Sequence, residues 1–151
     1  MEFEFRRMNG ADPVEVLSIA ERDILIPTLF DPDLQPAPTM LSDRIQSLGK
    51  MRDEDFADVA VDSSGHVVGF HLIRKDIFFG RAVGNVSTLW VDPAHRRKGV
   101  AKNLKLRAER WGREQGLYCI YTHTFVQNEP MVDLNKKLGF EIISYRLQKK
   151  L

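Results

Sequence analysis

Charged residues interleave with Phe3 and Phe5 over Glu2–Arg7, the two-residue period of a short edge strand. From Asp12 the period lengthens. A capping aspartate precedes Pro13, and Val14, Val16, Leu17 and Ala20 mark a helix. Pro27, Pro32, Pro36 and Pro38 then punctuate an irregular loop, and residues 42–48 predict a second short helix. The centre changes to strand: Phe56–Val61 and His66–Ile73 flank Asp62-Ser63-Ser64-Gly65, a hairpin signal, and Val83–Val91 follows the turn near Gly80. Val100–Gln115 carries Val100, Leu104, Ala108 and Trp111 on one helical face, with Gly112 weakening it and Gly116 stopping it. Leu117–Val126 is rich in Tyr, Thr, Ile, Phe and Val and reads as strand. Asn128-Glu129-Pro130 opens a helix to Lys137, and Gly139-Phe140 starts a final strand through Leu147. The order β-α-α-β-β-β-α-β-α-β brings strands 83–91 and 117–126 together in parallel through a right-handed crossover.

The junction Leu89–Leu104, LWVDPAHRRKGVAKNL, breaks a local rule. Arg96, Arg97 and Lys98 stand at a helix start, where the helix dipole already places roughly half a positive charge. No Ser, Thr, Asp or Asn precedes Gly99 to cap the orphan N–H groups. A phosphate or pyrophosphate held by backbone amides resolves both anomalies; a solvated basic turn is the plainer reading.

Composition narrows the field. The chain has 151 residues, 43% hydrophobic and 28% charged, which fits one domain spanning 1–151. A net charge of +1 exerts no global pull toward nucleic acid or membrane. The distribution is uneven, however. Arg96–Arg113 carries eight Lys/Arg against Glu109 alone, and Asp12–Asp33 carries six acids against Arg22 alone, so one region suits an anion and the other a cation. The one cysteine, Cys119, sits in an apolar stretch and can form no internal disulfide, which fits a reducing cytoplasm. MEFEFRRMNG has no secretory apolar region, and no run approaches membrane-spanning length, so a cytoplasmic location is expected.

Arg96-x-x-Gly99-x-Ala101 after a Val-Asp-Pro strand end resembles the acyl-coenzyme A signature of the GNAT acetyltransferases. Asn128, Met131, Leu134, Asn135 and Leu138-Gly139-Phe140 follow the spacing of that family's C-terminal segment. The resemblance covers residues 56–145 by motif and the N-terminal third by topology. It implies the acyl-CoA N-acyltransferase fold, an α/β (α+β) architecture. That fold has a mixed, mostly antiparallel sheet of six to seven strands, about four flanking helices and a splayed parallel pair. It implies acetyl-CoA as cofactor, with its pyrophosphate on the amides of Arg96, Arg97, Lys98, Gly99, Val100, Ala101 and Lys102. Leu89, Trp90 and Val91 would line the pantetheine arm, although Trp90 also reads as core. Asn128, a good N-cap, would contact the same arm, and Asn135 would lie near the thioester. Lys102 and Arg107 would reach the remaining phosphate, or simply form a solvated helix face.

Two departures from the family pattern concern chemistry. Many members carry a tyrosine as general acid where this chain has Asn135, which can donate a hydrogen bond but cannot deliver a proton as Tyr can. A glutamate often precedes the motif on its strand, but the matching stretch here is Asn85-Val86-Ser87-Thr88. His123 and His71 are substitutes as base, because an unperturbed imidazole titrates near working pH. Asp31, Asp33 and Glu129 are alternatives for binding a cationic substrate. Tyr121 and Tyr145 read as half-buried strand residues, Cys119 as packing, and no metal ligand set is assigned. The leading function is direct acetyl transfer from acetyl-CoA to a primary amine of a small molecule or peptide, with a strand amide near Val91 stabilising the oxyanion. A non-catalytic acyl-CoA sensor or scaffold and a nucleic-acid module are the alternatives, the second disfavoured by the neutral total charge. Expected partners are the amine acceptor and, as an open option, a second copy in a homodimer. Neither nucleic acid nor membrane is expected.

Overall fold

The computed structural model describes residues 2–151. Asp12 Oδ1 accepts from the Val14 N–H at 3.0 Å and Pro13 takes the first helical position, so helix α1, Pro13–Asp23, starts where the sequence places it. Such a cap contributes about 1 kcal/mol. After a 3-10 turn at Ile26–Leu29 comes α2, Met40–Gly49; α3 spans Val100–Glu114 and α4 spans Glu129–Lys137. The strands are β1 Phe3–Arg7, β2 Phe56–Asp62, β3 Val67–Phe78, β4 Arg81–Val91 and β5 Cys119–Tyr121. They form one sheet in sequence order, antiparallel except for the parallel β4–β5 pair.

Both faces of this sheet are buried, and β2 shows how. Ala57, Val59 and Val61 pack with Val16, Ile19, Ala20 and Leu48 of α1 and α2. Their neighbours face the other way: Ala60 lies with Val100 and Leu104, and Phe56 with Ala108, all on α3. The fully buried Asp55 fixes the entry to β2 by accepting from the N–H groups of Arg52 and Lys75, both at 2.9 Å. Gly69 lets α3 approach. A Cβ there would lie 2.9 Å from Val100 Cγ1 and 3.1 Å from the Trp90 carbonyl oxygen.

Three expectations need correction. The sheet has five strands among the described residues, not six to seven. The strand expected over 117–126 pairs only as Val83↔Cys119, Gly84↔Ile120 and Asn85↔Tyr121, after which the two chains diverge. The strand expected over 139–147 pairs with nothing, and Tyr145, expected to be half-buried, is exposed. The residues at both sites suit a strand, but a ladder also needs a neighbour within reach. β4 carries a bulge besides: Leu72 faces Thr88 and Ile73 faces Val86, leaving Ser87 as the extra residue. Bulges of this kind re-aim side chains beside functional sites.

Candidate active site

Because β5 leaves after Tyr121, the upper half of β4, Val86–Val91, has β3 on one side and no strand on the other. At the end of this open edge Asp92 caps the 3-10 turn Pro93–His95, and Ala94 N–H donates to Asp92 Oδ1 at 2.9 Å. The chain then turns sharply, with Arg97 at φ 61 and Gly99 at φ 80, into α3. That left-handed region costs an L-residue about 1–2 kcal/mol, which explains the glycine. Gly99 is the N-cap of α3 and offers no side-chain cap.

The N–H groups of Arg97, Lys98, Gly99, Val100, Ala101 and Lys102 have no acceptor among the described residues. The Arg96 N–H is taken by Pro93, and Asn103 N–H returns to the Gly99 carbonyl at 3.0 Å. The cradle is therefore Arg97–Lys102, a run of consecutive free donors whose last three lie at the positive end of a helix dipole. The surrounding charges sort themselves. Lys98 pairs with Glu2 at 3.1 Å, Arg113 with Glu109 at 2.9 Å, and Arg107 with Asp58 at 2.6 Å, so Arg107 is committed to the sheet. Arg97 and Lys102 are exposed and form no ion pair among the described residues.

Three carboxylates of the acidic segment are likewise engaged within the chain. Glu15 pairs with Arg6 at 2.6 Å, and Lys150 bridges Asp31 at 3.0 Å and Asp33 at 2.6 Å. Asp31 and Asp33 thus already hold a cation from their own chain.

Later in the chain, Asn128 occupies the N-cap position of α4. Its side chain makes no capping bond, while its carbonyl accepts from Met131 and Val132. Asn135 is buried: Nδ2 donates to Thr124 Oγ1 at 2.9 Å, and Oδ1 has no partner. A buried acceptor without a donor is uncommon and calls for one.

The two candidate histidines are far apart in character. His123 is exposed on the segment following β5. His71 is fully buried in β3, edge-on to Phe56, with Nδ1 3.0 Å from the Thr88 carbonyl; a carbonyl only accepts, so Nδ1 carries the proton. Burial, helped by the positive charge of Lys105 and opposed by the Thr88 bond, pushes its pKa down to about 3. The fold therefore favours neutral His71, so stability is full above the ordinary value of 6.5 and falls as pH drops from there toward 3. Urea unfolding should show an extra loss of about 2 kcal/mol between pH 7.5 and 5 that His71→Gln removes. A variant with the parent's pH dependence would contradict this.

Two groups escaped the sequence. Lys105 is buried on α3, its pKa lowered to about 8 by desolvation, with Nζ 5.0 Å from the Phe140 ring centroid. Asp23, the last residue of α1, is buried against β4. Desolvation raises its pKa, and Arg44 and the Thr88 hydroxyl oppose this without overcoming it. Arg44 Nη1 lies 3.1 Å from Oδ2, yet that oxygen has no aligned hydrogen bond. The available signal was positional: Asp23 continues the Val16–Ile19–Ala20 stripe, where another apolar residue belongs. Two shallow clefts, of about 320 Å³ beside Trp111 and about 360 Å³ between Arg22 and His95, include no residue of the cradle or of α4.

Free amides at the mouth of a splayed parallel pair, beside an open strand edge, are the chemistry that suits a phosphate-bearing carrier. A profile of the acetyltransferase (GNAT) family matches residues 20–140, and the chain belongs to that family. The mycothiol acetyltransferase of Saccharomonospora viridis is 34% identical over 101 residues, covering 64% of this chain and 33% of that protein. The chain thus spans about a third of the length of such relatives. Among solved structures, a Trypanosoma brucei acetyltransferase aligns with TM-score 0.69 and 23% identity over 99% of this chain and 100% of that one. The aminoglycoside N-acetyltransferase AAC(6')-Iy, in complex with CoA, aligns with TM-score 0.69 and 22% identity over 99% and 94%. GNAT acetyltransferases use acetyl-CoA, and the residues here fit it: the orphan amides suit its pyrophosphate, and Asn135 Oδ1 suits an amide N–H of its arm.

Proposed function

We propose that this chain is an acetyl-CoA-dependent N-acetyltransferase that moves the acetyl group directly to a primary amine. The observation that carries the reading is the run of unpartnered amides from Arg97 to Lys102 at the end of an open strand edge. Bound acetyl-CoA supplies an activated thioester. The cradle amides bind its pyrophosphate, with Arg97 and Lys102 adding charge. Leu89, Trp90 and Val91 present backbone to its arm, and Asn128 and Asn135 hold that arm from the α4 side. A backbone N–H near Val91 donates to the carbonyl oxygen as negative charge grows there.

The amine must lose a proton before it can attack. We assign that proton to Asp23, directly or through one water. Its carboxylate is desolvated, its pKa is raised, and it lies against Thr88, just before the arm-binding stretch of β4. His71 is a poor base by comparison, since it is sealed in the core and its pKa is depressed. Asn135 orients and does not protonate; water returns a proton to the leaving sulfur. An acyl-enzyme on Cys119 is disfavoured because Cys119 sits opposite Val83, roughly 25 Å of strand from Val91.

Relatives named for mycothiol and aminoglycosides favour a small molecule as acceptor over a peptide. Acetyl-CoA turnover across a panel of aminoglycosides, amino sugars, peptide N-termini and lysine should find at least one small amine that releases free thiol. Tight coenzyme A binding with no turnover anywhere would instead support an acyl-CoA sensor.

A further inference from the structure

Among the described residues Lys105 is the one lysine or arginine that the fold buries, only 5% exposed beside the Val100–Leu104–Ala108 stripe. Its Nζ forms no hydrogen bond or ion pair there, and desolvation alone acts on its charge. The Phe140 ring, 5.0 Å away, attracts the ammonium but cannot accept a proton from it. A desolvated cation without a counter-charge is costly, and the acetyl-transfer chemistry described so far gives it no task.

Its surroundings locate it. Helical side chains lean toward the helix start, so Lys105, one turn past Ala101, leans toward the cradle end of α3. Its charge acts on His71, and His71 faces Leu89 across the β3–β4 ladder. Phe140, under the ammonium, donates its N–H to the Asn135 carbonyl at 2.9 Å. The ammonium thus stands between the Leu89 level of β4, on the stretch that β5 has left, and the chain after α4. Two buried polar atoms without partners belong to this region: Lys105 Nζ, a donor, and Asn135 Oδ1, an acceptor.

Acetyl transfer builds negative charge on the carbonyl oxygen, which has a β4 amide, and on the sulfur, which has no cation assigned to it. We propose that Lys105 is a catalytic residue that stabilises the departing thiolate of coenzyme A and supplies the proton returned to it. This rests on the acetyl-transfer reading above. The amine nitrogen bonds to the carbonyl carbon and loses its proton to Asp23. The carbon–sulfur bond breaks, and its electron pair leaves with the sulfur. Lys105 gives a proton to the water that protonates that sulfur. Exchange with solvent then restores Asp23 and Lys105. A neutral thioester asks little of an ammonium, so the stabilisation is exerted mainly as the bond breaks. Burial lowers the pKa of Lys105 to about 8, near the value of about 8.5 for an ordinary thiol, so the proton passes at little cost. His71, the titratable neighbour on β3, stays neutral and does not compete.

Ultraviolet absorbance of the thiolate, read as the difference between loaded and empty protein, tests this without turnover. Coenzyme A bound to the full chain should ionise about one pH unit or more below free coenzyme A, a tenfold gain in thiolate. Lys105→Met keeps the apolar stem and removes the charge, and coenzyme A bound to it should titrate no lower than free. Adenosine bisphosphate, which carries phosphates and no thiol, should bind both proteins alike in calorimetry. A bound thiol that titrates at or above the free value in the parent overturns the proposal. So does a lowered value that persists in the variant. A tenfold loss of adenosine bisphosphate affinity also overturns it, because Lys105 then serves the phosphates. Should the variant fail to fold, the parent titration decides alone. A lowered thiol in a protein that acetylates no amine would sink the enzymatic reading only, and turnover with an unshifted thiol would sink this one.

Discussion

Gly99→Trp should abolish coenzyme A binding, lowering affinity at least hundredfold in calorimetry, while the circular dichroism spectrum stays native. The two halves of that result have different causes. Retention of the fold follows from magnitude: a side chain at φ 80 adds about 1–2 kcal/mol of strain, against a total stability of 5–15 kcal/mol for a typical domain. The new Cβ would also meet only Asn103 Nδ2, at 3.7 Å, so no core atom has to move. Loss of binding follows from position. Gly99 sits in the middle of the donor run Arg97–Lys102, and an indole there occupies the space a phosphate needs. A hundredfold loss corresponds to about 2.7 kcal/mol, less than the several charge-assisted hydrogen bonds at stake. Unchanged affinity in a folded variant would remove the cradle from the cofactor site.

Asp23→Asn should lower kcat/KM by about a hundredfold or more while leaving the KM for acetyl-CoA near its parent value. A merely structural aspartate could also reduce activity, so the pH profile is the deciding readout. A base works only when deprotonated, and the folded pKa of Asp23 lies above the ordinary carboxylate value. The parent's rate should therefore fall as pH drops through that raised value, and the asparagine variant should lack this acidic limb. If the limb persists in the variant, another group takes the amine's proton and the assignment to Asp23 fails.

Local patterning made most of this architecture legible. The Asp12–Pro13 start of α1, the hairpin at Asp62–Gly65 and the Gly116 stop after α3, at φ 67, all rest on residues whose conformational preferences act within a turn. The anion site was legible for a related reason: uncapped amides and misplaced cations are visible in the sequence itself. What stayed hidden is non-local. Nothing around Tyr121 says that β5 will leave β4 after three pairs, since a ladder ends where its partner passes out of reach and not where the sequence stops favouring a strand. The expected free acids at Asp31 and Asp33 were neutralised by Lys150, more than a hundred residues away. Asp23 counted only as one of the acids between Asp12 and Asp33 until the fold buried it against Thr88 of β4. His71 looked like a titrating strand residue until both faces of the sheet were covered.

The contact beneath Gly69 gives the amide cradle an address outside its own turn. Val100, the first residue of α3, rests where a methyl group on residue 69 would be, and so the tilt of the helix start, and with it the aim of its N–H groups, is set by an atom that is missing from the neighbouring strand β3. The side chains of the turn residues Arg97 and Lys98 are exposed. Position 69 is closed in by contrast: a Cβ there would press on Val100, itself a member of the donor run, and on the Trp90 carbonyl, and so would disturb the anion site from the strand beneath it.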